Sequence, residues 1–313
     1  MLIMRRRRRF YNDKVNHVYQ RTVGWVNIFY SNADYLVYYT IFAVCAKAAK
    51  IQVFMLCLMY DHTHSLVIAE NIRELSAFVD RFAAWFVKEY NHQVGRKGKL
   101  FHKNFGSAPK WSDKDIRSVI NYVGNNPVEK RLCLKAEEYR WNFLAYAVSD
   151  HPFSDKYVPR EASRHLRRAI KEAKELAEQN LPLKYVHLKR MMKKLSRKEV
   201  EQFIDQVIIM YLPFDFNKVM SYFGSYEAML DAMHNNTGSE HDLKEQNDRT
   251  SHMVFQDVLA YLCDSMSVDE VRKITVMSEN DKKQLAKKIR SVFPIDEWQI
   301  SKFLHMSPEK GGS

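Results

Sequence analysis

Ile51 to Met59 is an almost unbroken apolar run of strand length, and just across Tyr60-Asp61 a second strand-like run extends from His62 to Glu70. Two such runs joined by a two-residue connection read as a central hairpin. The flanking segments decide what surrounds it. Val15 to Val23 alternates and is rich in β-branched and aromatic residues, which predicts a strand. Asn32 or Asp34 can cap a helix reaching about Lys50, with Leu36, Tyr39, Ile41, Phe42 and Cys45 on its apolar side. Glu74 to Tyr90 returns to helical spacing through Leu75, Phe78, Val79, Phe82 and Phe86, and the basic loop Gly95 to Lys99 leads to a strand at about Leu100 to Pro109. Strand, helix, strand, strand, helix, strand is the order of the ferredoxin-like split βαβ arrangement. The expected fold class is therefore α+β, an antiparallel sheet with helices on one face.

A further helix is predicted from Ser112, which can cap it with Asp115 as reciprocal partner, and Pro127 is expected to bound its end. Beyond Arg160 strand signals fade, and helix-like segments recur at 161–180, 184–194, 196–210, 252–264 and 278–291. The polar stretch His234 to Ser251 reads as a loop. In Glu279 to Met306, core positions are expected at Leu285, Ile289, Trp298, Ile300 and Phe303, giving a helical bundle with possible DNA contact. The expected organisation is a basic arm over 1–13, a first unit over 14–150, and an all-helical unit over 151–313.

Composition narrows the partners. The 313 residues carry 49 Lys and Arg against 37 Asp and Glu, a net charge of +12, which favours a polyanionic partner. Nucleic acid ranks first and an anionic membrane surface second. The four cysteines show no CxxC spacing, so a reduced, cytoplasmic protein without zinc is expected. Arg5 to Arg9 is followed by Phe-Tyr-Asn-Asp-Lys instead of the apolar run that a secretory signal needs. Lys47 and Lys50 break the best candidate membrane segment, Tyr35 to Met59, so no spanning helix is expected.

His62-Thr63-His64 is the sharpest chemical feature, because side chains two apart on a strand share a face and can reach one metal ion. Two packed or hydrogen-bonded histidines are the plain alternative. On the helix after Ser112, Ile116, Val119, Ile120 and Val123 form an apolar stripe, with Tyr122 and Asn126 one turn apart on its flank. Tyr122 can equally snorkel from the core, and Asn126 can equally terminate the helix before Pro127.

Three blocks, in order, resemble the single-tyrosine HUH transposases of the IS200/IS605 type, especially the REP-associated tyrosine transposases. They are Cys57 to Leu66, with Asp61-His62-Thr63-His64 at its centre; Asn121-Tyr122-Val123-Gly124-Asn125-Asn126-Pro127-Val128; and Glu138-Tyr139-Arg140-Trp141-Asn142-Phe143. The resemblance covers about residues 14–146. It implies the HUH nuclease fold and a metal-dependent endonuclease and strand transferase acting on single-stranded or hairpin DNA. By the same resemblance His62, His64 and Asn126 would bind Mg²⁺ or Mn²⁺, and Tyr122 would attack to form a 5′-phosphotyrosine link. No other cofactor is implied. Asp61 stands where the family often carries Asn, and it reads as capping a turn, with support of the metal site as the alternative.

DNA contacts are expected from the arm Arg5, Arg6, Arg7, Arg8 and Arg9, which can also be a solvated tail, and from Arg96, Lys97 and Lys99 with Phe101, His102 and Phe105 alongside. A second basic run, Lys184 to Lys198, reads as a solvated helix face or a phosphate-tracking surface. A bacterial nucleoid setting follows from the resemblance, with a monomer and a homodimer both open. The rival to the enzyme is a non-catalytic nucleic-acid-binding or regulatory protein that retains the fold.

Overall fold

A computed structural model describes residues 10–102, 105–235 and 251–306. The arm Arg5 to Arg9 and most of the expected loop His234 to Ser251 lie outside the described residues.

Four strands, β1 (Asn16–Arg21), β2 (Gln52–Leu58), β3 (His62–Ile68) and β4 (Gly106–Pro109), form one sheet in the order β2-β3-β1-β4. Every pairing is antiparallel, so β1 and β2 run the same way with β3 inserted between them. This is the split βαβ topology that the element order predicts. The α+β class with a helical C-terminal region holds.

The helix α1 (Asn32–Ala48) is capped one residue ahead of Asn32, the first of the two predicted caps. Ser31 is the cap, its hydroxyl accepting from the Asp34 backbone N–H. The Asp34 carboxylate is engaged instead by the Tyr30 N–H and the Ser31 hydroxyl. The second helix, α2 (Ile72–Val94), opens at Asn71 and stops at Gly95, whose φ of 73° is the left-handed geometry a helix C-terminus favours. These two helices cover one sheet face. Tyr38 of α1 meets the Thr63 hydroxyl at 3.1 Å, and its ring packs against Phe82 and Phe86 of α2.

Because strand side chains alternate, His62 and His64 project to the face opposite Thr63. That face is closed by α3 (Asp113–Glu129), which begins with the predicted Ser112–Asp115 capping box. With both faces covered, every β3 residue except Ile68 is buried. The helix does not stop at Pro127 as expected but continues to Glu129. Proline in a last turn forfeits one backbone bond, and the Lys130 N–H still closes onto the Asn126 carbonyl at 3.1 Å.

The final strand is shorter than its predicted span of Leu100 to Pro109. Only Gly106–Pro109 joins β1, and Phe101 makes an isolated bridge to Thr22. At the strand's start the Tyr19 ring lies across Gly106, so close that a Cβ there would fall 1.9 Å from a ring carbon.

Nine more helices follow among the described residues: α4 (Arg164–Glu178), α5 (Tyr185–Met192), α6 (Arg197–Met210), α7 (Phe216–Ser221), α8 (Tyr226–His234), α9 (Met253–Cys263), α10 (Val268–Lys273), α11 (Glu279–Val292) and α12 (Glu297–Leu304). The apolar core under the sheet runs on into α4–α8 without a break. Tyr39 of α1 donates to the Ile208 carbonyl of α6 at 2.8 Å, and Val53 of β2 bridges to Phe214. A second apolar cluster gathers Phe255, Val258, Leu262, Ile289, Ile300 and Phe303 around Tyr30 and Tyr60. Of the core positions expected in 279–306, Ile289, Ile300 and Phe303 are buried and Leu285 is partly so. Trp298 is not a core residue: it is 37% exposed, because it lies on the side of α12 turned away from that cluster. No described helix is long and apolar enough to cross a membrane.

Candidate active site

The strand register builds the site. Arg21 lies opposite His62, Tyr19 opposite His64 and His17 opposite Leu66, so the side chains of His17, His62 and His64 share the face under α3. On α3 the predicted pair Tyr122 and Asn126 points down at them. The Tyr122 ring packs edge-on against His64 at 5.6 Å between centroids and against His17 at 5.9 Å. The Asn126 amide reaches both predicted imidazoles, Oδ1 at 3.2 Å from His62 Nε2 and Nδ2 at 3.4 Å from His64 Nε2. All four side chains are buried, Tyr122 at 7% exposure. The four predicted side chains thus lie together on one sheet face, and Pro127 leaves Asn126 in helical register.

What lies behind the rings decides their chemistry. Asp61 Oδ1 lies 2.6 Å from His62 Nδ1. Burial opposes ionisation of Asp61, but His62 and Lys302 outweigh it and hold the carboxyl well below its usual range. A carboxylate can only accept, so His62 Nδ1 donates to it, and the ring's other nitrogen, Nε2, faces the Asn126 amide oxygen. Across the sheet His17 Nε2 sits 2.9 Å from His64 Nδ1. With the amide nitrogen donating to His64 Nε2, the shared proton of the His17–His64 pair lies on His64 Nδ1. The Nε2 atoms of both imidazoles therefore converge on the Asn126 amide, and each ring is held from behind through its Nδ1.

Asp61 does not cap a turn. Its second oxygen accepts from Lys302 Nζ at 2.6 Å, and both side chains are almost fully buried. Lys302 belongs to α12, so the C-terminal helices reach the candidate site. His252, another buried imidazole, packs edge-on against Tyr60 at 5.9 Å between centroids and lies 6.5 Å from His62. Burial lowers its pKa to about 3, against a smaller opposing pull from Asp61.

Among the described residues no group of three or more His, Cys, Asp or Glu side chains is placed to hold a metal. The donor set is instead two imidazoles and one amide oxygen. Such a mixed nitrogen and oxygen set fits a divalent cation that keeps open positions for water and phosphate oxygens.

The third sequence block holds α3 in place. Asn142 donates to the Gly124 carbonyl at 3.3 Å and the Ala136 carbonyl at 2.6 Å, Tyr139 donates to the Leu58 carbonyl at 2.7 Å, and Trp141 stacks on Tyr35 at 4.4 Å. His17, Lys302 and His252 escaped sequence reasoning. Lone His and Lys residues far from the H-x-H pair carry no local signal, and only strand register and the docking of α9 and α12 bring them near.

Of the expected DNA contacts, Arg96 is committed to its own loop, donating to Asn91 Oδ1 at 3.0 Å and the Lys99 carbonyl at 2.8 Å. Lys97 and Lys99 are exposed, whereas Phe101 and Phe105 are buried core residues. In the second basic run Lys184, Lys189 and Arg190 pair with Glu89, Asp269 and Glu172. Lys193, Lys194, Arg197 and Lys198 face solvent.

No protein-family model and no curated protein matches the chain. Among solved structures, one described as the REP-associated tyrosine transposase bound to a REP hairpin is similar at a TM-score of 0.40 and 14% identity, covering 47% of this chain and 86% of that one.

Proposed function

We propose that this chain is a metal-dependent DNA endonuclease and strand transferase of the single-tyrosine HUH transposase type, acting on single-stranded or hairpin DNA. One observation carries the reading. The Tyr122 ring lies against His64 on the same sheet face where His62 and His64 converge on Asn126. His62, His64 and Asn126 would hold Mg²⁺ or Mn²⁺, which supplies charge neutralisation at a scissile phosphate. Asp61 and His17 fix the two imidazoles, and Asn142 steadies the helix that presents the nucleophile.

The phenolic oxygen of Tyr122 would bond to phosphorus as the bond from phosphorus to the 3′-oxygen breaks. The proton lost by the phenol balances the one gained by the 3′-oxygen. The phosphotyrosine ester conserves the bond energy, so attack by a 3′-hydroxyl rejoins the strand without a nucleotide cofactor. Tyrosine is a weak nucleophile while neutral, with a reference pKa of about 10, so a nearby cation is a chemical requirement. In this reading residues 14–150 hold the chemistry, and 151–313 brace it through Lys302 and contribute to DNA contact.

A non-catalytic nucleic-acid-binding role is favoured by the tight fit of the same site, where Tyr122 is 7% exposed and the amide already bridges both rings. Incubation with labelled single-stranded hairpins plus Mg²⁺ or Mn²⁺, followed by denaturing electrophoresis, separates the two. A covalent protein–DNA adduct is expected; none across a broad hairpin library would leave the binding protein.

A further inference from the structure

Beside the histidine face, the loop after β1 and the first turn of α12 bring two tryptophans together. The Trp25 and Trp298 rings lie 6.3 Å apart, inclined at 60°. The Arg21 guanidinium lies 4.4 Å over the Trp25 ring, and Lys302 Nζ lies 4.2 Å over Trp298.

The pair differs from core aromatics in two ways. Trp298 is 37% exposed on a helix whose Ile300, Phe303 and Leu304 are buried. Trp25 is partly exposed and sits at φ 61° directly after Gly24 at φ 73°. Left-handed geometry is costly for a bulky residue, so the turn spends energy holding a large ring at the surface.

The patch is continuous with the site. Arg21 lies opposite His62 in the strand register. Lys302, over the Trp298 ring, bonds Asp61, which in turn bonds His62. The basic loop borders it too: the Val23 N–H donates to the Leu100 carbonyl at 2.8 Å and the His102 N–H to the Arg21 carbonyl at 3.0 Å, which sets exposed Lys97 and Lys99 beside the turn.

We propose that Trp25 and Trp298 form a stacking platform for unpaired bases of single-stranded DNA as it approaches the histidine site, with Lys97 and Lys99 facing its phosphates. The inference rests on the DNA-processing reading above and adds where the strand is held. Partly exposed aromatic rings, each with a cation over one face, suit a polyanion with free base faces. A duplex offers no such faces, and an apolar protein partner would gain nothing from the surrounding charge.

The test uses the full chain carrying Tyr122→Phe, in EDTA, with a fluorescein-labelled oligothymidylate. Binding should quench tryptophan emission, and Trp25→Ala or Trp298→Ala should each weaken binding roughly tenfold, the order that base–aromatic stacking supplies. Trp298→Phe should recover part of the loss, and an abasic oligomer of equal length should bind as weakly as the Ala variants bind oligothymidylate. The platform is overturned by unchanged affinity in the Ala variants, by equal binding of the abasic oligomer, or by equal binding of duplex. A Tyr122 protein that binds with quenching yet never forms an adduct removes the cleavage reading and leaves the platform. Adduct formation at unchanged affinity without the two tryptophans does the reverse.

Discussion

Lys302 Nζ lies 2.6 Å from Asp61 Oδ2, with both side chains buried. The residues are far apart in sequence, and their contact fastens α12 to the residue that immediately precedes the H-x-H strand. Removing one charge of such a pair strands the other in a low-dielectric setting. Lys302→Met is therefore expected to cost about 3–5 kcal/mol of stability, and the double variant Asp61→Asn, Lys302→Met should recover most of it. Urea midpoints of the two variants would decide, and equal losses would show that the pair is not coupled.

Asp61 also braces His62, with Oδ1 2.6 Å from Nδ1. Loss of such a partner typically lowers metal affinity about 10–100-fold. Asp61→Asn should weaken Mn²⁺ binding by that order, and His62→Ala or His64→Ala should abolish it. Titration followed by electron paramagnetic resonance of free Mn²⁺ gives the readout, and unchanged affinity in His64→Ala would remove the metal assignment.

Tyr122 is the proposed nucleophile, so Tyr122→Phe should eliminate the covalent adduct and leave DNA affinity nearly intact, because the ring that packs on His17 and His64 is retained. A Phe variant that still nicks DNA refutes the role.

The close approach of Tyr19 to Gly106 predicts a coupled pair. A methyl group at Gly106 must displace the ring, so Gly106→Ala should destabilise by about 1–3 kcal/mol, as overpacking does. In a Tyr19→Ala background the same change should cost little. Thermal unfolding of the four proteins measures the coupling, and additive losses would contradict it.

His252 has a folded-state pKa of about 3, below the ordinary histidine value of about 6.5. Between those values the unfolded chain binds a proton that the folded chain refuses. The stability contribution is whole above about pH 6.5 and is lost as pH falls toward 3, by on the order of 5 kcal/mol in total. His252→Phe should flatten the dependence of the urea midpoint over that range, whereas an unchanged slope would assign the effect to other groups.

Local chemistry was enough for much of this molecule. The apolar runs at 51–59 and 62–70, the helical spacing of 74–90 and the Ser112–Asp115 box each state their structure through nearest neighbours, and all four lie where the sequence puts them. The pairing of His62 with His64 on one face follows from strand alternation alone, and Tyr122 with Asn126 from helical repeat. Elsewhere a rule of sequence lost to context. Pro127 did not end its helix, because a last turn has few bonds left to lose, and Ser31 took the cap that Asn32 or Asp34 might have filled.

Only the tertiary structure decided that the two pairs meet. It set the register that brings His17 to His64, the docking that brings Lys302 to Asp61, and the turn that leaves Trp25 beside Trp298. These contacts span residues far apart in the chain, and no periodicity encodes them. They arise when separate apolar faces are buried together, and burial of one helix or strand is satisfied only by the shape that the others present.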